Sequence, residues 1–459
     1  MKKLTAMLLV MAMLFSLTAC GSKEETSGET AAAPTTESEA PDAGADADTD
    51  AAAPAAEDSV YYLNFKPEAD QAWQDLAALY TEQTGVPVKV VTAASGTYND
   101  TLTAEMAKSE APTLFQCGNA QSLLDWGDYC LDLTGTDVVS EMTTADFNLV
   151  DEAGAVKAIG YCYECFGIIV NTALLEEAGY TLADITDFAS LSKIANDIHD
   201  RADALGFDAF ASAGLDGSSS WRFSGHLANM PLFYEFRDDN VTSQPATITG
   251  AYMDNFRNIW DLYINTAAAD AATLTTYTGD HSQAQFGNGE VVFWQQGSWE
   301  YANLVGETYG MDPANLAMIP IYCGVEGEAD AGLCSGTENC WSVNSQADEA
   351  DIQATLDFIH WVVTSDEGTA MMAEQFGPIP FKNAKTPENV FFADANELLA
   401  DGKYTVTWAF NHTPNVDNWR ATVVTALAAY SADQSDANWE KVVEAFVEGW
   451  AYEYNVQNG

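Results

Sequence analysis

From residue 59 onward, short apolar runs alternate with segments in which apolar residues recur every three or four positions. The runs predict strands and the recurrences predict helices. VYYLNF (60–65) is a mostly apolar run of strand length. In PEADQAWQDLAALYTEQTG, Ala69, Trp73, Leu76 and Tyr80 share a helical face, with Pro67 at the opening and Gly85 at the close. VPVKVV (86–91) returns to strand, NDTLTAEMAKS to helix and PTLFQC (112–117) to strand. That order predicts parallel pairing with crossover helices. FGIIV (166–170), VVFW (291–294) and LAMIPI (316–321) predict further strands. LLEEAGY reads as a helix ending at Gly179, and DFASLSKIANDIHDRADALGF as an amphipathic one with Phe188, Leu191, Ile194 and Ile198 on one face. From Ala350 on the pattern is mostly helical, and no segment repeats. The predicted class is α/β with several added helices.

The chain before residue 59 has a different character. Lys2 and Lys3 precede a short apolar run, and Leu17-Thr18-Ala19-Cys20 ends it. A basic start, a short apolar core and small residues before a cleavage point predict a secretory signal peptide over 1–20. Leu-Thr-Ala-Cys resembles the lipobox of bacterial lipoproteins, which implies an acylated Cys20 as the new N-terminus and a tether to the outer face of the cell membrane. Residues 21–58 are Ala, Thr, Ser, Pro, Gly, Glu and Asp with a single basic residue, Lys23. Such a composition predicts a disordered acidic linker.

Composition narrows the partners. Residues 59–459, about 400 in all, exceed what one core holds, so two lobes are expected. Seventeen basic against 69 acidic residues give a net charge of −52, which excludes nucleic acid and argues against an anionic ligand. A neutral or cationic small molecule is left. Eight cysteines leave seven once Cys20 is set aside, an odd number. Cys162 and Cys165 form an isolated C-x-x-C, and Cys334 and Cys340 lie near each other in sequence. No second C-x-x-C or paired histidines at ligand spacing accompany them, so no metal and no cofactor is expected. Catalytic motifs are missing too: G-x-S-x-G, H-E-x-x-H and the phosphate-cradling loop do not occur. Ser190 and Lys193 match S-x-x-K inside an amphipathic helix, without its companion motifs. Histidines 199, 226, 281, 360 and 412 are scattered singly and read as surface or core residues.

Several segments together carry a resemblance. QFGNGEVVFWQQGSWEYANL (285–304) resembles the F-x-x-G-x-x-A-M-x-x-x-G-x-W pattern of the extracellular solute-binding proteins of ABC sugar importers, the maltose-binding-protein-like family. TGVPVKV, LTAEMAKSEAPTLFQCGN, IGYCYECFGIIVNTALLEEAG and ATLDFIHWVVTSDEGTAMM resemble further segments of that family in the same order. Thr113 stands where an acidic residue is usual and Val170 where a tyrosine is common. The likeness spans nearly all of 60–459.

The resemblance implies a two-lobed class II binding-protein fold, each lobe a mixed sheet flanked by helices. Lobe one would be 60–165 plus 320–376, and lobe two 166–319 plus 377–459. It implies no enzymatic activity, a monomer, a carbohydrate in the cleft and delivery to membrane permease subunits with a separate ATPase. Carried over by motif, Trp299 and Trp419 would stack on sugar rings. Glu164, Lys66, Glu68, Gln116, Asn119, Ser219, Trp221 and Glu338 would complete the ligand-binding set. The chemistry suits a sugar, whose apolar C–H faces take flat indoles and whose hydroxyl rim takes amides, carboxylates and ammonium groups. Three tryptophans point to more than one ring, hence an oligosaccharide. Competing readings are a binder of cationic ligands such as polyamines, a glycosidase using two of Glu68, Glu164 and Glu338, and a surface adhesin.

Overall fold

The computed structural model describes residues 58–459. The expected signal peptide, Cys20 and the linker up to residue 57 lie outside the described residues. The strands run in chain order as β1 (Val60–Asn64), β2 (Val88–Thr92), β3 (Leu114–Gln116), β4 (Leu149–Val150), β5 (Val156–Gly160), β6 (Glu164–Asn171), β7 (Asp208–Phe210), β8 (Val291–Gly297), β9 (Leu316–Ile319), β10 (Ala331–Gly336), β11 (Cys340–Val343) and β12 (Tyr404–Thr407). They form two sheets. The first has the order β2-β1-β3-β11-β5-β4, and the second β12-β10-β6-β8-β7 with β9 also on β6.

β1 is parallel to β2 and β3, as the alternation of strands and helices predicts. Partners that return from farther along the chain are antiparallel: β11 to β3 and β5, and β8, β9 and β10 to β6. β7 and β8, and β10 and β12, pair in parallel, so both sheets are mixed. Their central strands are buried on both faces, which is why they read as unbroken apolar runs. Along β1 and β3, Tyr62 and Leu114 enter one apolar cluster while Leu63 and Phe115 enter another. Along β6, Phe166, Ile168 and Val170 face one core and Cys165 and Ile169 the other. This is the strand period of two.

Helices cover these faces. Asp70–Thr84 buries Trp73, Leu76, Ala77 and Tyr80, and Gly85 ends it in the left-handed conformation at φ 83°. Phe188–Asp200 is capped by Asp187, whose carboxylate accepts from the Ser190 amide, while the Ser190 hydroxyl returns to Asp187. Ser190 in the S-x-x-K match is thus the reciprocal partner of the Asp187 cap. The C-terminal part is helical, as expected, over Glu349–Thr364, Asp366–Gln375, Val390–Ala400, Val416–Ala432 and Asp436–Asn458.

The chain passes between the sheets at 161–163, at 337–339 and between the helices Asp366–Gln375 and Val390–Ala400. Two stretches sit opposite to the expected division. β10, within 320–376, pairs in the second sheet, and Ile379 and Phe381, within 377–459, pack into the core of the first.

Candidate functional site

The site lies where the chain passes between the sheets. After β1, Asn64 clamps the turn: its side chain accepts from the Lys66 amide at 3.0 Å and donates to the Lys66 carbonyl at 2.8 Å. This aims the buried Lys66 ammonium at Glu164, the first residue of β6, at 2.7 Å. Glu68 accepts from the same ammonium at 3.2 Å. Asn339, in the other crossing segment, donates to the second Glu164 oxygen at 2.8 Å. Its neighbour Glu338 accepts from the Asn119 amide at 3.1 Å. Lys66, Glu68, Glu164 and Asn339, a member that sequence reasoning missed, thus form one polar chain, and Asn119 and Glu338 form a second pair beside it.

Burial alone would lower the Lys66 ammonium, but Glu164 and Glu68 overcome it and hold the group above the ordinary lysine range. Burial lifts the Glu164 carboxyl, and Lys66 opposes the lift.

An aromatic wall stands against this chain. The Lys66 ammonium is 5.0 Å from the Trp299 ring centroid. Trp299 follows the end of β8, and its indole lies across Gly297, where a Cβ would come within 2.2 Å of the ring. The Gly-Ser-Trp sequence is a seat for the ring. Trp221 is 6.1 Å from Trp299. His226 stands 5.0 Å from Trp221 and 5.4 Å from Trp299, and stacks on Phe166 at 3.9 Å with an 11° tilt. The segment Arg222–Leu227 is a π-helix, whose i→i+5 bonding sets His226 above Trp221. A period of 3.6 separates those residues, so the sequence pattern hides the pair. Burial, and then Arg222, Arg420 and Lys66, hold the imidazole well below its usual pKa, so it is neutral and Nδ1 accepts from Gln295 at 3.0 Å. Glu300, next to Trp299, accepts from Gln283, Gln296 and Asn303 at 2.6, 3.0 and 3.2 Å. Its carboxyl is raised by burial.

Three expected residues behave differently. Trp419 is 1% exposed, packs on Phe446 and Trp450, and donates its indole N–H to the Phe446 carbonyl at 2.9 Å. With its ring and its donor both used inside the core, it offers no face to a sugar, and its stacking role is corrected to a structural one. Ser219 is buried with its hydroxyl committed to Asp216. Gln116 is buried at the end of β3, and its side-chain carbonyl has no partner. The C-x-x-C pair is divided between cores: Cys162 joins the first-sheet cluster and Cys165 a second-sheet cluster. Cys334 and Cys340 are likewise parted.

The two halves touch at one rim. Ser95, after β2, donates to the Ser218 carbonyl at 2.9 Å, and Asn99 donates to Asp417 at 2.6 Å. Two sheets joined by crossing segments, with an aromatic and polar site at the crossings, define a two-lobed binding protein.

Comparison with known families agrees. Residues 75–400 match the bacterial extracellular solute-binding protein family, and the chain belongs to it. No match is found among curated protein sequences. Three solved structures share the fold. The raffinose complex of RafE has a TM-score of 0.66 at 15% identity, over 87% of this chain and 100% of that one. A chitin oligosaccharide binding protein has 0.64 at 15%, over 87% and 98%. Maltose-bound MalE3 of T. maritima has 0.64 at 15%, over 87% and 99%.

Proposed function

We propose that this chain is the lipid-anchored substrate-binding component of an ABC importer, capturing a carbohydrate between its lobes and delivering it to permease subunits served by a separate ATPase. The observation that carries the reading is the pairing of the Trp299–Trp221–His226 wall with the Lys66–Glu164–Asn339 chain. Flat rings cover the C–H faces of a pyranose, while amides and carboxylates bond its hydroxyl rim. The raffinose, chitin oligosaccharide and maltose in the names of the similar structures support the same class. Two indoles about a ring's width apart favour an oligosaccharide. Ligand binding would shift an open–closed equilibrium toward closed. Cys20 would carry the lipid and 21–58 the reach from the membrane. The ligand set is Lys66, Glu68, Gln116, Asn119, Glu164, Trp221, Trp299 and Glu338, with Asn339, His226 and Glu300 added.

The test is a thermal-shift screen of the full chain against mono- and oligosaccharides, with spermidine included. A ligand at 100 times its Kd stabilises the native state by about 2.7 kcal/mol. A rise with one carbohydrate class supports the reading, and products released from an oligosaccharide would replace it with a glycosidase. A rise with spermidine alone, or none with any carbohydrate, overturns it.

A further inference from the structure

Of the five arginines of the chain, three lie in ion pairs: Arg201 with Asp197, Arg237 with Asp238, and Arg257 with Asp261 and Asp436. The other two, Arg222 and Arg420, have no carboxylate oxygen within 4.0 Å among the described residues. Both stand at the π-helix that carries His226. Arg222 is its first residue, 2% exposed, with Cζ 5.6 Å from the centroid of the Trp221 ring. Its Nε donates to the Ser219 carbonyl at 3.4 Å, and its two terminal nitrogens have no hydrogen-bond partner among the described residues. Arg420 reaches the same helix from Val416–Ala432. Its Cζ is 5.4 Å from the centroid of the Phe410 ring, and its Nε is buried without a partner. Glycines leave room for both: a Cβ on Gly279 would come within 2.7 Å of Arg222 Nη2, and one on Gly225 within 3.2 Å of Arg420 Nη2. His226 adds a further donor. The Gln295 amide nitrogen that donates to its Nδ1 also reaches the Gly167 carbonyl at 3.4 Å, so the ring proton is on Nε2, which has no partner among the described residues.

The nearby carboxylates are engaged elsewhere. Asp216 takes the Ser218 and Ser219 hydroxyls, and Glu300 takes Gln283, Gln296 and Asn303. With Asp280 they attract Arg222 only from a distance. A buried guanidinium short of acceptors destabilises the free protein. Two guanidiniums and an imidazole N–H, all donors, match a ligand group that only accepts. A carboxylate is such a group, and its plane fits the guanidinium fork.

We propose, resting on the carbohydrate reading and narrowing it, that the ligand is an acidic oligosaccharide containing a uronic acid, whose carboxylate is seated against the Trp221–His226 wall by Arg222 and Arg420. This reverses the expectation drawn from net charge. The charge of −52 opposes such a ligand at long range, where salt screens it, while the contact is decided by the groups within hydrogen-bond reach.

The test is titration calorimetry of the full chain with oligosaccharides that contain glucuronic or galacturonic acid, each beside its carboxyl-reduced counterpart, and with a sulfated oligosaccharide. An acidic member should bind about tenfold tighter, or more, than its reduced counterpart. Arg420→Gln should erase most of that preference while leaving the affinity for the reduced sugar within about twofold, and Arg222→Gln should do the same. Should Arg222→Gln fail to fold, Arg420→Gln decides. Because the Arg420 guanidinium is unpaired, the free Arg420→Gln protein should melt at or above the wild-type temperature. A fall of several degrees with the preference intact would make the residue structural and overturn the proposal. Reduced sugars that bind as tightly as the acids would overturn it and leave the carbohydrate reading standing, and a sulfate ester bound in preference to the carboxylate would also overturn it. No binding of any carbohydrate, acidic or neutral, would overturn both.

Discussion

Lys66 and Glu164 bind each other at 2.7 Å with both side chains buried, so neither can be removed alone without exposing the other's charge to a dry interior. Lys66→Ala should cost about 3–5 kcal/mol at pH 7 by denaturant unfolding. The loss should shrink at pH 5, because Glu164 already has a raised carboxyl and protonation would neutralise it. Its favourable contribution lies below the unfolded pKa and fades as pH rises through the folded one. The double variant Lys66→Met, Glu164→Gln should recover most of the stability but none of the ligand affinity. Trp299→Ala should leave the melting temperature of the free protein within a few degrees, since the ring is only partly buried. The ligand-induced rise in the same thermal-shift assay should disappear. Asp394 is a further titrating residue: burial raises it from 3.8 to about 6, although the Met318 amide donates to it at 2.8 Å. Its stabilising contribution is complete below pH 3.8 and lost through pH 6. Asp394→Asn keeps an acceptor and should raise stability at pH 7 by at most about 3 kcal/mol, with the gain vanishing by pH 4.

At the scale of the element, one glycine acts through what it leaves out. Gly297 closes β8 and lets the Trp299 indole lie across it. Gly297→Ala should tilt the ring and weaken ligand binding by roughly the tenfold that about 1.4 kcal/mol represents, measured by titration calorimetry. Its φ is −118°, ordinary for any residue, so the effect should come from the ring and not from the backbone. The strands and long helices were legible because burial on both sheet faces writes continuous apolar runs, and helical faces write a period of 3.6. The π-helix Arg222–Leu227 was not, since its wider turn matches neither period. That is why His226 reads as one of five isolated histidines in the sequence and as part of the aromatic wall in the fold.

For the whole molecule, the proposed closure would bring the lobes together at the rim. Gly96 has a φ of 73°, and a Cβ there would come within 2.7 Å of the Gly217 carbonyl across the rim, beside the Ser95–Ser218 hydrogen bond. Gly96→Ala should hold the lobes apart. Small-angle scattering should then show a ligand-induced fall in radius of gyration for the wild type and little for the variant, with affinity reduced accordingly.

Local pattern determined the α/β class, most elements and the tryptophan seat of Gly297–Trp299, because each depends on neighbours a few residues away. Glu164, Lys66 and Trp299 could be named through a resemblance of segments, yet not joined: Glu164 meets Lys66 and Asn339 only because β6 and β11 begin where the chain changes sheets. Trp419 and Trp299 are alike in sequence as indoles beside polar residues. Only the packing of the last two helices decided that one is enclosed and the other faces the crossing. The same holds for the cysteines. Neighbours in sequence, Cys162 and Cys165, part onto different cores along the chain, while Cys117 and Cys130, thirteen residues apart, line the same one. Contacts between residues far apart in the chain follow from sheet order and register, and those are properties of the assembled sheets that no single segment contains.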